Sequence, residues 1–231
     1  MRRLVPVGIG LAGALLLALA LPAAGARSSL AGGRAAFERV REGGGLTEAG
    51  WQRLIEGQQA ALASLPEPGI AKAVAVVLQS RAMGLSGEPA VLLLERAREV
   101  LLSALEEAPA DPIGWMQLAQ LDAAMLDVAG SAASLAASFR SGPVSPELAV
   151  QRAALALGLW DWLAEPMLER ARRELPPALR IDAAALVGVA RATGRLEELR
   201  AAAAGDPRAS AALERALAAA TSPASARRGA G

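Results

Sequence analysis

The chain has no cysteine, no histidine and no tyrosine, and its aromatic residues are Phe37, Phe139 and four tryptophans. Without cysteine there is no disulfide framework and no thiolate nucleophile. Without histidine there is no imidazole base, and His/Cys metal sites go with the pair. Carboxylates remain available for acid/base chemistry, but no residue pattern implies a cofactor or a metal. Lysine is nearly absent as well: Lys72 is the only one, so arginine carries almost all the positive charge. The formal net charge is +1, and without Arg2 and Arg3 it becomes −1. That balance supplies no concentrated basic surface for nucleic acid, and the arginines read as solvated helix faces.

What is present points one way. Hydrophobic residues make up 53% of the 231 positions, yet much of that share is alanine, and β-branched residues are scarce. Alanine, leucine, arginine and glutamate are the favoured helix formers, so the composition predicts an all-α protein. The length suits one good-sized domain with a small appendage.

The first residues, "MRRLVPVGIGLAGALLLALALPAAGARSS", open with two arginines and continue as an uncharged run from Leu4 to Leu21. Ala24-Gly25-Ala26 follows, the small-residue pattern that a signal peptidase reads. The run is longer than a signal core of roughly 7–15 residues and sits at the lower edge of the roughly 17–25 that span a bilayer. Residues 1–26 are therefore either a cleaved signal peptide or a retained inner-membrane anchor with Arg2 and Arg3 held inside. Both readings export everything after Ala26 to a bacterial periplasm. No second stretch is long and charge-free enough to span.

Residues 27–45 are glycine-rich and read as a tether with a short helical segment around Phe37. Thr47 is the candidate N-cap for the next helix, whose apolar stripe of Trp51, Leu54, Ile55 and Leu62 ends at Pro66 and Pro68. From there proline punctuation becomes regular. Pro112, Pro146, Pro177 and Pro207 start segments, with Asp111, Ser145 and Asp206 as caps before three of them. The intervals are 34, 31 and 30 residues, each broken near its middle: at Gly130, at the stretch from Trp162 to Glu165, and at Gly194. Two antiparallel helices per interval is the natural interpretation. The helical domain so defined runs over 46–220, and "TSPASARRGAG" over 221–231 reads as a disordered tail.

In "RAREVLLSALEEAPADPIGWMQLAQLDAA", Ala97, Leu101, Ala104, Leu105 and Pro109 resemble the second helix of a tetratricopeptide repeat (TPR). Trp115, Leu118 and Ala119 match the next first helix in the same frame, and Ser131, Leu135, Ser138, Phe139 and Pro143 continue it. "LVGVARATGRLEEL" matches a further repeat through Leu186, Ala190 and Gly194. The resemblance implies a short α-solenoid of stacked hairpins, with small residues where helices cross and large ones between hairpins. Arg152 departs from the frame, standing where Leu118 stood one repeat earlier, and residues 71 to 88 make a poor first helix. More loosely, the N-terminal apolar segment followed by "PELAVQRAALALGLWDWL" and "RARREL" is similar to periplasmic helical-repeat proteins associated with bacterial exopolysaccharide biosynthesis. That likeness implies an assembly context and carries over no catalytic residue.

Three residues are candidate partner-binding groups: Trp162, Arg152 and Asp122. Trp160 lies seven residues from Ala153, nearly on one helical face, and reads as a core plug. Trp162 is about 200° further round and falls at the inferred helix break, so its ring is the one left partly exposed. Arg152, among Val150, Ala153, Ala154 and Leu155, predicts an ion pair with Asp122 or Asp161. Its guanidinium fork also suits a partner's carboxylate or a sugar acid. Asp122 and Asp127 could face a groove, but nothing makes them a catalytic pair, and "LERARREL" from Leu168 reads as a solvated face with local ion pairs. The expectation is a non-catalytic scaffold in the cell envelope for a protein or peptide partner, in the context of polysaccharide assembly. The alternatives are a carrier or sensor binding a saccharide or apolar ligand and, least supported, a carboxylate-dependent glycosidase.

Overall fold

The computed structural model describes residues 35, 36, 38, 39 and 45–221, and every regular element among them is helical. The apolar run 4–21, the cleavage-site pattern and the tail beyond 221 lie outside the described residues. Of the tether, the described positions 35, 36, 38 and 39 are helical. No described helix is long and apolar enough to cross a membrane. The chain forms two compact units that divide between Pro109 and Ala110, within the span 46–220 that the sequence pattern gives as a helical-repeat domain.

The first unit holds α1 (Glu48–Ser64), α2 (Pro68–Ala82) and α3 (Glu88–Glu107). Thr47 caps α1 as its residue type predicts, its hydroxyl accepting from the Gly50 amide at 3.2 Å. Trp51 and Leu54 are buried on the inner stripe of α1 with Val77 of α2, and Ala36 of the tether packs against them. The poor repeat match over 71–88 does not prevent a hairpin. Ala71, Val74, Ala75 and Leu78 bury one face of α2, and α2 packs along α3, whose Leu94, Ala97 and Leu101 are buried.

The second unit holds α4 (Pro112–Ala124), α5 (Val128–Ser141), a 3-10 turn (Pro146–Leu148), α6 (Ala149–Gly158), a second 3-10 turn (Trp160–Trp162), α7 (Glu165–Thr193), α8 (Leu196–Ala203) and α9 (Pro207–Thr221). α4 packs on α5, α6 on α7, and α9 on both α7 and α8. One core runs through the unit, from Met116 and Leu135 through Leu157 and Leu179 to Leu199 and Leu213. The small and large positions of the repeat frame, Leu118, Ala119, Ser131, Leu135, Ser138 and Phe139, are buried. Serines replace alanine at several crossings. Ser131 Oγ donates to Ala119 O at 2.7 Å, Ser134 Oγ to Asp122 Oδ2 at 3.0 Å, and Ser138 Oγ to Pro112 O at 2.8 Å. Three hydroxyls on one face of α5 thus pin it to α4, each satisfying its own buried polarity.

Two boundaries and one cap differ from those the sequence predicts. Pro177 does not start a segment: Pro176 and Pro177 both lie inside α7, and the chain breaks at Asp182 (φ −147°, ψ 81°). Burial of Leu175, Ala178 and Leu179 holds the helix through the two prolines, against their local preference. Asp182 then restarts it by accepting from the Ala185 amide at 3.0 Å. The break in the first interval falls at Met125 to Asp127 and not at Gly130. Leu126 takes the left-handed conformation (φ 62°), and Gly130 sits in the first turn of α5, its amide 2.8 Å from Asp127 Oδ1. A Cβ at 130 would collide with that carboxylate. Ser145 makes no side-chain cap, and its buried hydroxyl has no partner among the described residues. Asp111 and Asp206 do cap their helices, and Gly194 ends α7 in the left-handed region (φ 71°) that favours glycine.

Candidate functional site

The two tryptophans of "GLWDWLAEP" part company because of the turn that carries them. α6 ends at Gly158, and the chain tightens into the 3-10 turn Trp160–Trp162, closed by the Trp162 amide on Leu159 O at 2.8 Å. At three residues per turn, side chains two apart point about 240° apart, so one ring facing the core sends the other outward. Trp160 is 9% exposed and joins the core with Leu159 and Leu163, while Trp162 is 69% exposed. Arg172 lies over the Trp160 ring at 5.8 Å from its centroid. The turn packs against α5. Asp161 ties it to the next turn through an ion pair with Arg195, which also donates to Glu198 at 2.9 Å. Trp162 is therefore an exposed indole on a fixed mount.

Arg152 is the largest fully buried side chain among the described residues, at 0% exposure. Its Nε donates to Ser138 Oγ at 3.1 Å, one terminal nitrogen donates to Gly142 O at 2.8 Å, and the other donates to Ser138 O and Oγ. These acceptors belong to the C-terminal end of α5, where carbonyls lack helical partners and the dipole favours a cation. Its guanidinium also lies 4.7 Å from the Phe139 centroid. Burial holds the Arg152 pKa below its ordinary value, Glu174 and Glu147 act against that, and Arg170 adds to it. Burial likewise raises Glu174, opposed by Arg152 and Arg170. The carboxylates that act on Arg152 are thus Glu174 and Glu147, in place of the expected Asp122 and Asp161. The sequence signal missed was the serine at 138 and the glycine at 142. A Cβ at 142 would stand 2.7 Å from the Pro112 ring, so only glycine lets the carbonyl reach the guanidinium with α4 in place.

Asp122 is buried and accepts from Ser134. Asp127 is spent as the cap of α5 and Asp161 on Arg195. The structure therefore brings none of the three together as a carboxylate pair on an open groove. Of the three candidate partner-binding residues, Trp162 alone offers exposed surface; Arg152 and Asp122 act inside the fold. Among the described residues no group of three or more acidic side chains converges as a metal site. Apolar surface that the periodicity did not flag lies at Leu126, 85% exposed in the α4–α5 turn, and at Val144 between α5 and α6. The first unit has its own open groove of about 590 Å³, walled by Trp51, Ile55, Leu85 and Leu92, with Arg81 over the Trp51 ring and paired with Glu48.

No protein-family model matches the chain, and neither a curated protein nor a solved structure matches it.

Proposed function

We propose that this chain is a non-catalytic interaction scaffold of the bacterial periplasm, built of TPR-like hairpins and presenting Trp162 to a protein or peptide partner. The observation that carries the reading is the exposed indole of Trp162, held by a turn that Trp160 and the Asp161–Arg195 pair immobilise. A large aromatic whose mount is already ordered costs little entropy on binding, and such residues are frequent interface anchors. The engagement of Asp122, Asp127 and Asp161 in structural bonds supports a binding role over a hydrolytic one. Export rests on the basic start, the apolar run and the Ala24-Gly25-Ala26 pattern. A place in envelope polysaccharide assembly rests on residue resemblance, and neighbouring glycosyltransferase and polysaccharide-export genes would support it.

The test is photocrosslinking in cells from a probe at position 162, against a probe at Gly188, which is exposed on α7. A discrete crosslinked partner from 162, lost when only periplasmic delivery is blocked, supports the proposal; equal yields from both positions refute it. A second reading is favoured by the Trp51-walled groove, whose volume of about 590 Å³ suits an apolar ligand. A quench of tryptophan emission by such a ligand that Trp51→Phe abolishes and Trp162→Phe leaves intact would place the function there.

A further inference from the structure

We propose that a second surface of the Ala110–Gly231 unit, the groove along helix α9 beside Arg180 of α7, receives an acidic helical segment of a partner protein. The groove holds about 420 Å³ and is lined by Arg180, Arg208, Ala211, Ala212 and Arg215. Arg208 and Arg215 stand seven residues apart on α9, on one face and about 10 Å apart along the axis. Ala211 and Ala212 fill the stripe between them. Arg180 pairs with Asp206, which also caps α9 by accepting from the amides of Arg208 at 2.9 Å and Ala209 at 3.0 Å. The helix N-terminus is thus already occupied and adds nothing to the site. The two other guanidiniums are another matter. Arg215 donates through Nε to Ala211 O of its own helix at 3.2 Å, which leaves its terminal nitrogens open. Arg208 makes no side-chain bond among the described residues.

Several arginines of the unit are matched locally; Arg140 and Arg191 also pair with no carboxylate among the described residues, and what sets Arg208 and Arg215 apart is that they line one groove. Arg172 and Arg173 pair with Glu169, Arg200 with Glu197 and Arg195 with Glu198, each three or four residues away. The positions four residues before Arg208 and Arg215 hold Ala204, at the end of α8, and Ala211 of α9. Two unmatched cations one heptad apart complement carboxylates at i and i+7 of a second helix. The alanine floor between them lets two helices approach to the 8–10 Å of ordinary packing. A lone phosphate needs cations that converge on one point, which a spacing of about 10 Å along α9 does not favour. The lining contains no aromatic ring on which a sugar face would stack. The proposal goes beyond the Trp162 reading and is independent of it.

The experiment uses the full chain in detergent micelles and two fluorescein-labelled helical peptides. One carries glutamates seven residues apart over an alanine face, and the other has glutamine at those positions. Anisotropy at roughly 150 mM salt should show the glutamate peptide binding at least tenfold more tightly. The double variant Arg208→Gln/Arg215→Gln should weaken it about five- to tenfold, as two exposed pairs would, while Arg191→Gln leaves it unchanged. Reversal by Arg208→Glu/Arg215→Glu should transfer the preference to a lysine peptide of the same spacing, which a merely misfolded variant would not do. Equal binding of the glutamate and glutamine peptides, or an unchanged double variant, overturns the proposal. So does inorganic phosphate or an oligouronate that displaces the peptide at lower concentration than the peptide itself requires.

Discussion

Removing Arg152 should be the most damaging single change in the Ala110–Gly231 unit, and its cost can be built from the acceptors it leaves. Ser138 O keeps other donors, since the Gly142 amide and Ser141 Oγ both reach it. Ser138 Oγ still donates to Pro112 O. Gly142 O has no such reserve among the described residues, so Arg152→Ala leaves one half-buried carbonyl without its donor, at most about 1–3 kcal/mol. The truncation also empties a fully buried site beside Phe139, worth about 2–5 kcal/mol. Relief from burying a charge, visible in the lowered Arg152 pKa, returns part of this, which brings the net to about 3–5 kcal/mol. Arg152→Met fills most of the volume and should cost about 1–3 kcal/mol, leaving chiefly the carbonyl term. Arg152→Lys keeps the charge but cannot fork between Ser138 and Gly142, so it should fall between the two. Thermal melting followed by circular dichroism reads the series, with roughly 2–4 °C expected per kcal/mol at this size. A melting point unchanged in Arg152→Ala, or Lys indistinguishable from the parent, would refute the account of Arg152 as the clamp on the end of α5.

Trp160→Ala should lose about 3–5 kcal/mol as a truncated core aromatic, whereas Trp162→Ala, exposed and outside the core, should lose under about 1 kcal/mol; melting of the pair tests the order. Gly188→Ala should stabilise α7 by about 0.5–1 kcal/mol, because a Cβ there meets nothing within 4 Å; a lower melting point would mean the 183–193 arm is not helical as described. Asp206 is held below its ordinary pKa, first by the Ala209 amide and also by Arg180. Its contribution is therefore present at neutral pH and lost as the pH falls through about 4 and below. Asp206→Asn should accordingly lower the melting point near pH 7 and leave it unchanged near pH 2. Glu174 acts with the opposite sign: its raised pKa costs stability as the pH climbs above the ordinary carboxylate range.

Much of this architecture was legible because helix periodicity and capping are local. Thr47, Asp111, Asp206 and Gly194 do at their termini what their residue types favour, and most of the residues that the repeat frame marks in α3, α4 and α5 are buried, with Trp115 half-buried. The misplacements have a common cause in tertiary context. Pro177 looked like a helix start because a proline lacks its amide hydrogen, yet the core contacts of Leu175, Ala178 and Leu179 outweigh that loss and defer the break to Asp182. Gly130 looked like a turn and is instead the one residue that clears the Asp127 cap. The outward ring of Trp162 was predictable from the break it sits in; the 3-10 geometry that enforces it was not, since nothing in "WDW" distinguishes a 3-10 turn from a last helical turn.

The fate of Arg152 shows where residue-by-residue reading stops and where the candidate site must be sought. An arginine in an apolar run, at a position filled by leucine one repeat earlier, invites two readings, a buried ion pair or an anchor for an acidic ligand. Which holds depends on acceptors 10 and 14 residues away, Gly142 and Ser138, and these look like ordinary small crossing residues of the repeat. Once they absorb the guanidinium, it is no longer available to a partner. Arg208 and Arg215 stand in the opposite position, exposed on α9 and bonded to no carboxylate among the described residues. A charged group in this fold is a candidate for function to the extent that its own neighbours leave it unmatched. By that measure the proposed interaction surfaces are Trp162, which the core leaves in solvent, and the arginine stripe of α9, while Arg152 and Asp122 are buried inside the fold.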